Sequence, residues 1–84
     1  MTDMNPKAIA DLIQAAIPGS RALVRSDDNV HYEAVVIAEA FAGKRSVQRH
    51  QLVYAALGTR MGDEIHALAL QAFTPEEAAR SGIG

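Results

Sequence analysis

The side chains in this sequence that can do chemistry are three histidines and a short basic run. His66 stands in Glu64-Ile65-His66-Ala67-Leu68-Ala69-Leu70-Gln71-Ala72-Phe73, and residues 63–73 read as a buried strand. Alternate side chains share a face, so His66 falls with Leu68, Leu70 and Ala72. Ile65, Ala67, Ala69, Gln71 and Phe73 take the other side. An imidazole at the mouth of a strand has two readings. It is a half-buried histidine bonded to backbone or to Glu64, or a ligand or recognition residue at the strand end.

His31 follows the turn Asp27-Asp28-Asn29 and opens a second strand. It is either solvated beside the turn or a further ligand. Lys44, Arg45, Arg49 and His50 form the basic cluster. It reads as the solvated start of a helix or as a docking surface for a carboxylate, a phosphate or an acidic protein face. No Gly-rich phosphate loop, H-E-x-x-H or Cys–His pair is present, and no Ser-His-Asp set has the local context it requires. An enzyme is not expected.

The 84 residues suffice for one domain over 1–84, with frayed ends at 1–4 and 81–84. Hydrophobic residues make up 49% and charged residues 21%, a globular balance. Many of the hydrophobic residues are alanine, so the core is thin and rests on Leu, Ile and Val. The net charge of -2 argues against wrapping nucleic acid, which needs clustered cations, though it allows a local patch. With no cysteine, the chain can supply no thiolate, disulfide or Cys-based metal cage. The first residues lack the basic and apolar regions of a signal peptide, and no apolar run reaches spanning length. The expectation is a soluble, cytoplasmic protein with no membrane association.

The elements that must position these residues follow from periodicity and caps. Asn5-Pro6 opens a helix whose apolar stripe is Ile9, Leu12, Ile13, Ala16 and Ile17, stopped by Pro18-Gly19. Strands over 21–26 and 31–38 form a hairpin. Tyr32, Ala34, Val36 and Ala38 share one face; His31, Glu33, Val35 and Ile37 share the other. After a connection over 39–43, Ser46 is the expected N-cap of a helix packed through Val47, Val53, Tyr54 and Leu57 and ended by Gly58. A short turn or one-turn helix over 59–62 leads into the strand of His66. Thr74-Pro75-Glu76-Glu77 has the capping-box pattern of a last helix. The order is α-β-β-α-(α)-β-α, an α/β (α+β) domain. Its small three-stranded mixed sheet carries the helices on one face.

These residues, taken in order, resemble the BolA-like family across essentially the whole chain. Glu64-Ile65-His66-Ala67-Leu68-Ala69-Leu70, followed by Phe73-Thr74-Pro75-Glu76-Glu77, looks like its C-terminal signature. Phe41-Ala42-Gly43-Lys44 with Val47-Gln48-Arg49-His50-Gln51-Leu52-Val53-Tyr54 is similar to its central F-x-G-K…R-H-x-x-V-Y helix. His31-Tyr32 matches the S-H-F position, with Val30 in place of the small polar residue. The short hairpin loop over 26–30 resembles the IbaG-like branch, and the helix and last strand look closer to BolA proper.

The resemblance implies a class II KH-like fold. It implies a heterodimer with a monothiol glutaredoxin and a [2Fe–2S] cluster shared at the interface, bound through glutathione and the partner's thiolate. Alone, the chain would hold no cofactor and would be a monomer or weak dimer. The family's C-terminal histidine ligand falls on His66, and His31 is the nearest match to the hairpin ligand. Histidine ligation would raise the cluster potential and make binding pH-sensitive. The implied roles are iron–sulfur assembly, trafficking or iron homeostasis. The alternative is a DNA-binding transcriptional regulator using the KH-like fold and Lys44, Arg45 and Arg49; a third is a stress or morphology factor with a protein partner. Gly43-Lys44-Arg45-Ser46 is not the G-x-x-G clamp of a true KH domain. Phe41, Phe73, Tyr32 and Tyr54 are the only aromatics for base stacking.

Overall fold

The computed structural model describes residues 5–28, 31–58, 60–63 and 67–82. Asn5 caps the first helix, α1 (Pro6–Ala16), by accepting the Ala8 N–H on Oδ1 at 2.8 Å, and Pro6 sits at the first turn. Ile9, Ile13 and Ile17 are buried, and Leu12 packs against the same cluster. Ala16, expected in that stripe, is exposed, because the helix ends there and Ile17 takes over as the C-cap residue.

β1 (Arg21–Arg25) and β2 (His31–Ile37) pair antiparallel, and β3 (Ala67–Phe73) joins β2 in parallel, so the sheet order is β1-β2-β3. The parallel pair needs a crossover. It is supplied by a 3-10 turn (Glu39–Phe41), α2 (Ser46–Leu57) and the single turn α3 (Arg60–Asp63). α4 (Pro75–Arg80) closes the chain. The helices cover one face of a mixed three-stranded sheet, as expected. Ala22, Tyr32, Val36, Phe41, Val53 and Leu57 are buried in the layer between, with Leu68, Leu70 and Ala72 packed at its border.

Four further expectations change. Asp63 is helical and not the start of a strand. β3 is only half-buried, because it lies at the sheet edge. Its apolar run comes from alanines on the open face, Ala67 and Ala69, and not from burial on both sides. The N-cap position of α2 is Arg45, extended at φ -79 and ψ 164, and Ser46 is the first helical residue. The Gln48 side chain reaches back, its Oε1 accepting the Arg45 N–H at 3.0 Å. Finally, Val53 and Leu57 are buried, but Val47 is 67% and Tyr54 39% exposed. Those two do share a face of α2, but the face that meets the sheet runs through Arg49, Val53 and Leu57, at steps of i, i+4 and i+8.

Phe41 has a larger part than its sequence context announced. It is fully buried, and the chain leaves it through a turn in which the Lys44 N–H donates to the Phe41 carbonyl at 3.1 Å. Ala42 lies at φ -60, ψ 132 and Gly43 at φ 76, the angles of a type II turn. Only a residue that tolerates positive φ fits the third position, which gives F-x-G-K its glycine.

Removing the Phe41 ring leaves a cavity in a thin core. Phe41→Ala should cost about 3–5 kcal/mol, most of the stability of a domain this small, whereas Val47→Ala should stay within about 0.5 kcal/mol. Urea unfolding followed by circular dichroism measures both. Equal losses would contradict the assignment of inner and outer faces to this helix.

Candidate functional site

His31 stands at the first position of β2 with its side chain 75% exposed. Asp28 fixes it twice. One carboxylate oxygen accepts the His31 backbone N–H at 2.9 Å, and the other lies 3.0 Å from Nδ1. The Ser26 hydroxyl donates to the His31 carbonyl at 2.6 Å, closing the loop end. In a neutral ring, a carboxylate on Nδ1 favours the tautomer that carries the proton there and leaves the lone pair on Nε2. Metal-binding histidines are oriented in this way.

His66 lies outside the described residues. Its chain neighbour Ala67 is the register partner of His31 in the parallel β2–β3 ladder. Among the described residues, no three His, Asp or Glu side chains gather as a metal cage.

The basic cluster divides. Lys44 and Arg45 are exposed at the start of α2. Arg49 turns inward, with its side chain 13% exposed. Its Nε donates to the Lys44 carbonyl at 2.9 Å. Nη1 donates to the Ala72 carbonyl at 3.1 Å and to Glu77 Oε1 at 2.7 Å, and Nη2 to Glu77 Oε2 at 3.2 Å. The guanidinium also lies 6.0 Å from the centroid of the Phe41 ring. Glu77 Oε1 in turn accepts the Thr74 N–H at 2.9 Å, and Thr74 Oγ1 accepts the Glu77 N–H at 3.2 Å. The expected capping box of α4 is present, and Arg49 ties it to α2 and to the end of β3. His50 is half-buried and meets Tyr54 edge to face at 6.3 Å.

Sequence reasoning treated Asp28 as a turn former and Glu77 as a helix cap. The three-residue spacing from Asp28 to His31 was an available signal. Nothing local connects Arg49 with Glu77, which are 28 residues apart. Of the four aromatics considered for base stacking, Tyr32 and Phe41 are buried in the core and Phe73 is half-buried, leaving Tyr54 exposed.

An α+β domain with this topology and these motifs defines a class, and the comparisons name it. The model of the BolA-like protein family matches residues 13–77. The chain belongs to the BolA-like family. It is 47% identical over 47 residues to the DNA-binding transcriptional regulator BolA of Haemophilus influenzae, across 56% of this chain and 46% of that protein. It thus spans less than half the length of that relative. A BolA protein homologue from Coxiella burnetii superposes with a TM-score of 0.83 at 38% identity, over 92% of this chain and 99% of that one. The BolA domain of SufE1 from Arabidopsis thaliana gives a TM-score of 0.74 at 26% identity, over 86% and 93% of the two chains. No helix among the described residues is long and apolar enough to cross a membrane.

The Arg49 hydrogen bonds, followed by the Thr74 N–H, hold the Glu77 carboxyl down at about 2, from an ordinary 4.5. Arg49 is raised, chiefly by its hydrogen bond to Glu77 and against the effect of burial. Because the folded-state value of Glu77 is depressed, the unfolded chain takes up the proton first. The stabilisation is complete above about 4.5 and is lost as pH falls from there towards about 2. Melting temperatures across that range should drop more steeply for the wild type than for Glu77→Gln, which should already melt lower at pH 7. Parallel curves would show that the pair contributes nothing to acid sensitivity.

Proposed function

We propose that this protein is an adaptor that docks on a monothiol glutaredoxin and shares a [2Fe–2S] cluster with it, in iron–sulfur assembly, trafficking or iron homeostasis. The observation that carries the reading is the parallel register of β2 and β3. It pairs His31 with Ala67, the residue that follows His66 in the sequence. The donor set fits a shared cluster. The chain has no thiolate to give, and imidazole nitrogen is a known substitute ligand at one iron. His66 and His31 would be this chain's contribution, with Asp28 orienting His31; the glutaredoxin and glutathione would supply sulfur. The cluster is cargo in this reading, and the chemistry it brings is one-electron transfer. Lys44 and Arg45, exposed beside α2, offer cations to an acidic partner surface or to glutathione. The Arabidopsis SufE1 structure shows that a domain of this type exists within another protein.

The name of the Haemophilus influenzae relative supports a second reading, DNA binding in transcriptional control. Here Lys44 and Arg45 would contact phosphate without Arg49, whose guanidinium is engaged by Glu77. With so few free cations, affinity would be modest and steep in salt.

Reconstitution with a monothiol glutaredoxin, glutathione, iron and sulfide separates the readings. Visible absorption and circular dichroism of the mixture should differ from those of the glutaredoxin alone. They should return towards it with His66→Ala, and partly with His31→Ala. If the wild-type protein leaves the glutaredoxin spectrum unchanged, the adaptor reading fails, and DNA titration across a salt series decides the second.

A further inference from the structure

The outer edge of β3 has the form of a self-pairing surface. The Ala38 N–H donates to the Phe73 carbonyl at 2.9 Å, so Phe73 points its backbone groups at β2. In a parallel ladder both backbone groups of a residue point the same way, and the direction alternates along the strand. Ala67, Ala69, Gln71 and Phe73 therefore face β2, and Leu68, Leu70 and Ala72 face outward. The bond from Arg49 to the Ala72 carbonyl agrees with this. Arg49 closes the edge at Ala72. Among the described residues, nothing pairs with the outward N–H and C=O groups of Leu68 and Leu70.

The two sheet edges are treated differently. β1 begins and ends on exposed arginines, Arg21 and Arg25, and the Gln14 side chain of α1 accepts the outward Ala22 N–H at 2.9 Å. Charges and covering side chains are the usual protection of an edge strand. β3 reads Ala-Leu-Ala-Leu-Gln-Ala-Phe, with no charge, proline or glycine. An unguarded apolar edge beside a guarded one is a pairing surface.

We propose that β3 pairs antiparallel with β3 of a second copy of this chain, about a two-fold axis at Ala69. Of the possible registers, this one satisfies both leucines without using the Ala72 carbonyl that Arg49 occupies. Leu68 of one copy exchanges both backbone bonds with Leu70 of the other, and the symmetry repeats the exchange. Side chains then match: Leu68 meets Leu70 on the helix-covered side, and Ala67 meets Gln71 on the open side. Ala69 meets its own symmetry mate at the axis, in a closely spaced non-hydrogen-bonded pair. No like charges oppose one another along the seam. The sheet becomes continuous through both copies, and the contact is short, so the association is concentration-dependent. This inference rests on observations separate from those behind the proposed glutaredoxin partnership.

Ala69 is exposed on the open face, so charge there spares the monomer fold and places like charges together at the axis. Sedimentation equilibrium should show a wild-type dimer that Ala69→Lys or Ala69→Glu weakens by roughly tenfold or more, with unchanged circular dichroism. An equal mixture of the two variants should recover the dimer, because lysine then faces glutamate. Amide exchange of Leu68 and Leu70, but not of Ala69, should slow as protein concentration rises. A wild-type chain that stays monomeric at about 1 mM overturns the proposal. So does a dimer indifferent to the Ala69 variants, or a mixture that fails to recover.

Discussion

The interaction on which the structure depends is the double hydrogen bond between Arg49 and Glu77. A planar guanidinium with several donors can serve several acceptors at once, and a lysine could not. Here it serves the Lys44 carbonyl, the Ala72 carbonyl and a carboxylate, while its face lies near the Phe41 ring. One side chain thus joins the turn after the 3-10 segment, the end of β3 and the start of α4 to α2. The carboxylate is itself held by the capping box, so helix initiation and tertiary contact depend on the same oxygen. In a core rich in alanine, where apolar burial is limited, such a clamp supplies the directional part of the packing.

This explains why the family motifs look as they do. Phe41 fills the core, Gly43 makes the type II turn and Lys44 contributes its carbonyl. Arg49 reaches across, and Thr74 with Glu77 receives it. Arg49 and Glu77, which look functional because they are charged, are here tied together as scaffold. The free end of the sheet is different. There His31 is exposed and held by Asp28, and its strand partner in β3 begins next to His66.

Much of the fold was legible in the sequence because local rules agreed with one another. Asn5-Pro6, Thr74-Pro75 and Gly58 mark helix ends by local capping chemistry, and the alternation in β2 gave its buried face directly. The errors came where a local pattern has two solutions. An apolar run of alanine and leucine fits a strand buried on both sides, or an edge strand with small residues on its open face, and sheet order decides between them. In α2, Val47 and Tyr54 lie on one face, but only the docking of Arg49 selects which face meets the sheet. The place of His31 followed from the hairpin. The inward turn of Arg49 could not, since its acceptors come from segments far along the chain and its charge resembles that of Lys44 and Arg45.

The clamp and the candidate site occupy opposite ends of β3, and this separation has a physical sense. At the Phe73 end, the outward carbonyl of Ala72 is bonded, and α4 turns away under a satisfied cap. At the Ala67 end, His31 across the ladder is exposed, and among the described residues nothing pairs with the outward backbone groups of Leu68 and Leu70. Fixing one end of an edge strand by a multidentate arginine keeps its register against β2. A one-residue slip would move Leu68 and Leu70 to the open face. The same register sets which residue stands beside His31. The rigidity gained at Arg49 therefore holds β3 in register against β2, and the outer edge can be left open because the scaffold does not depend on it.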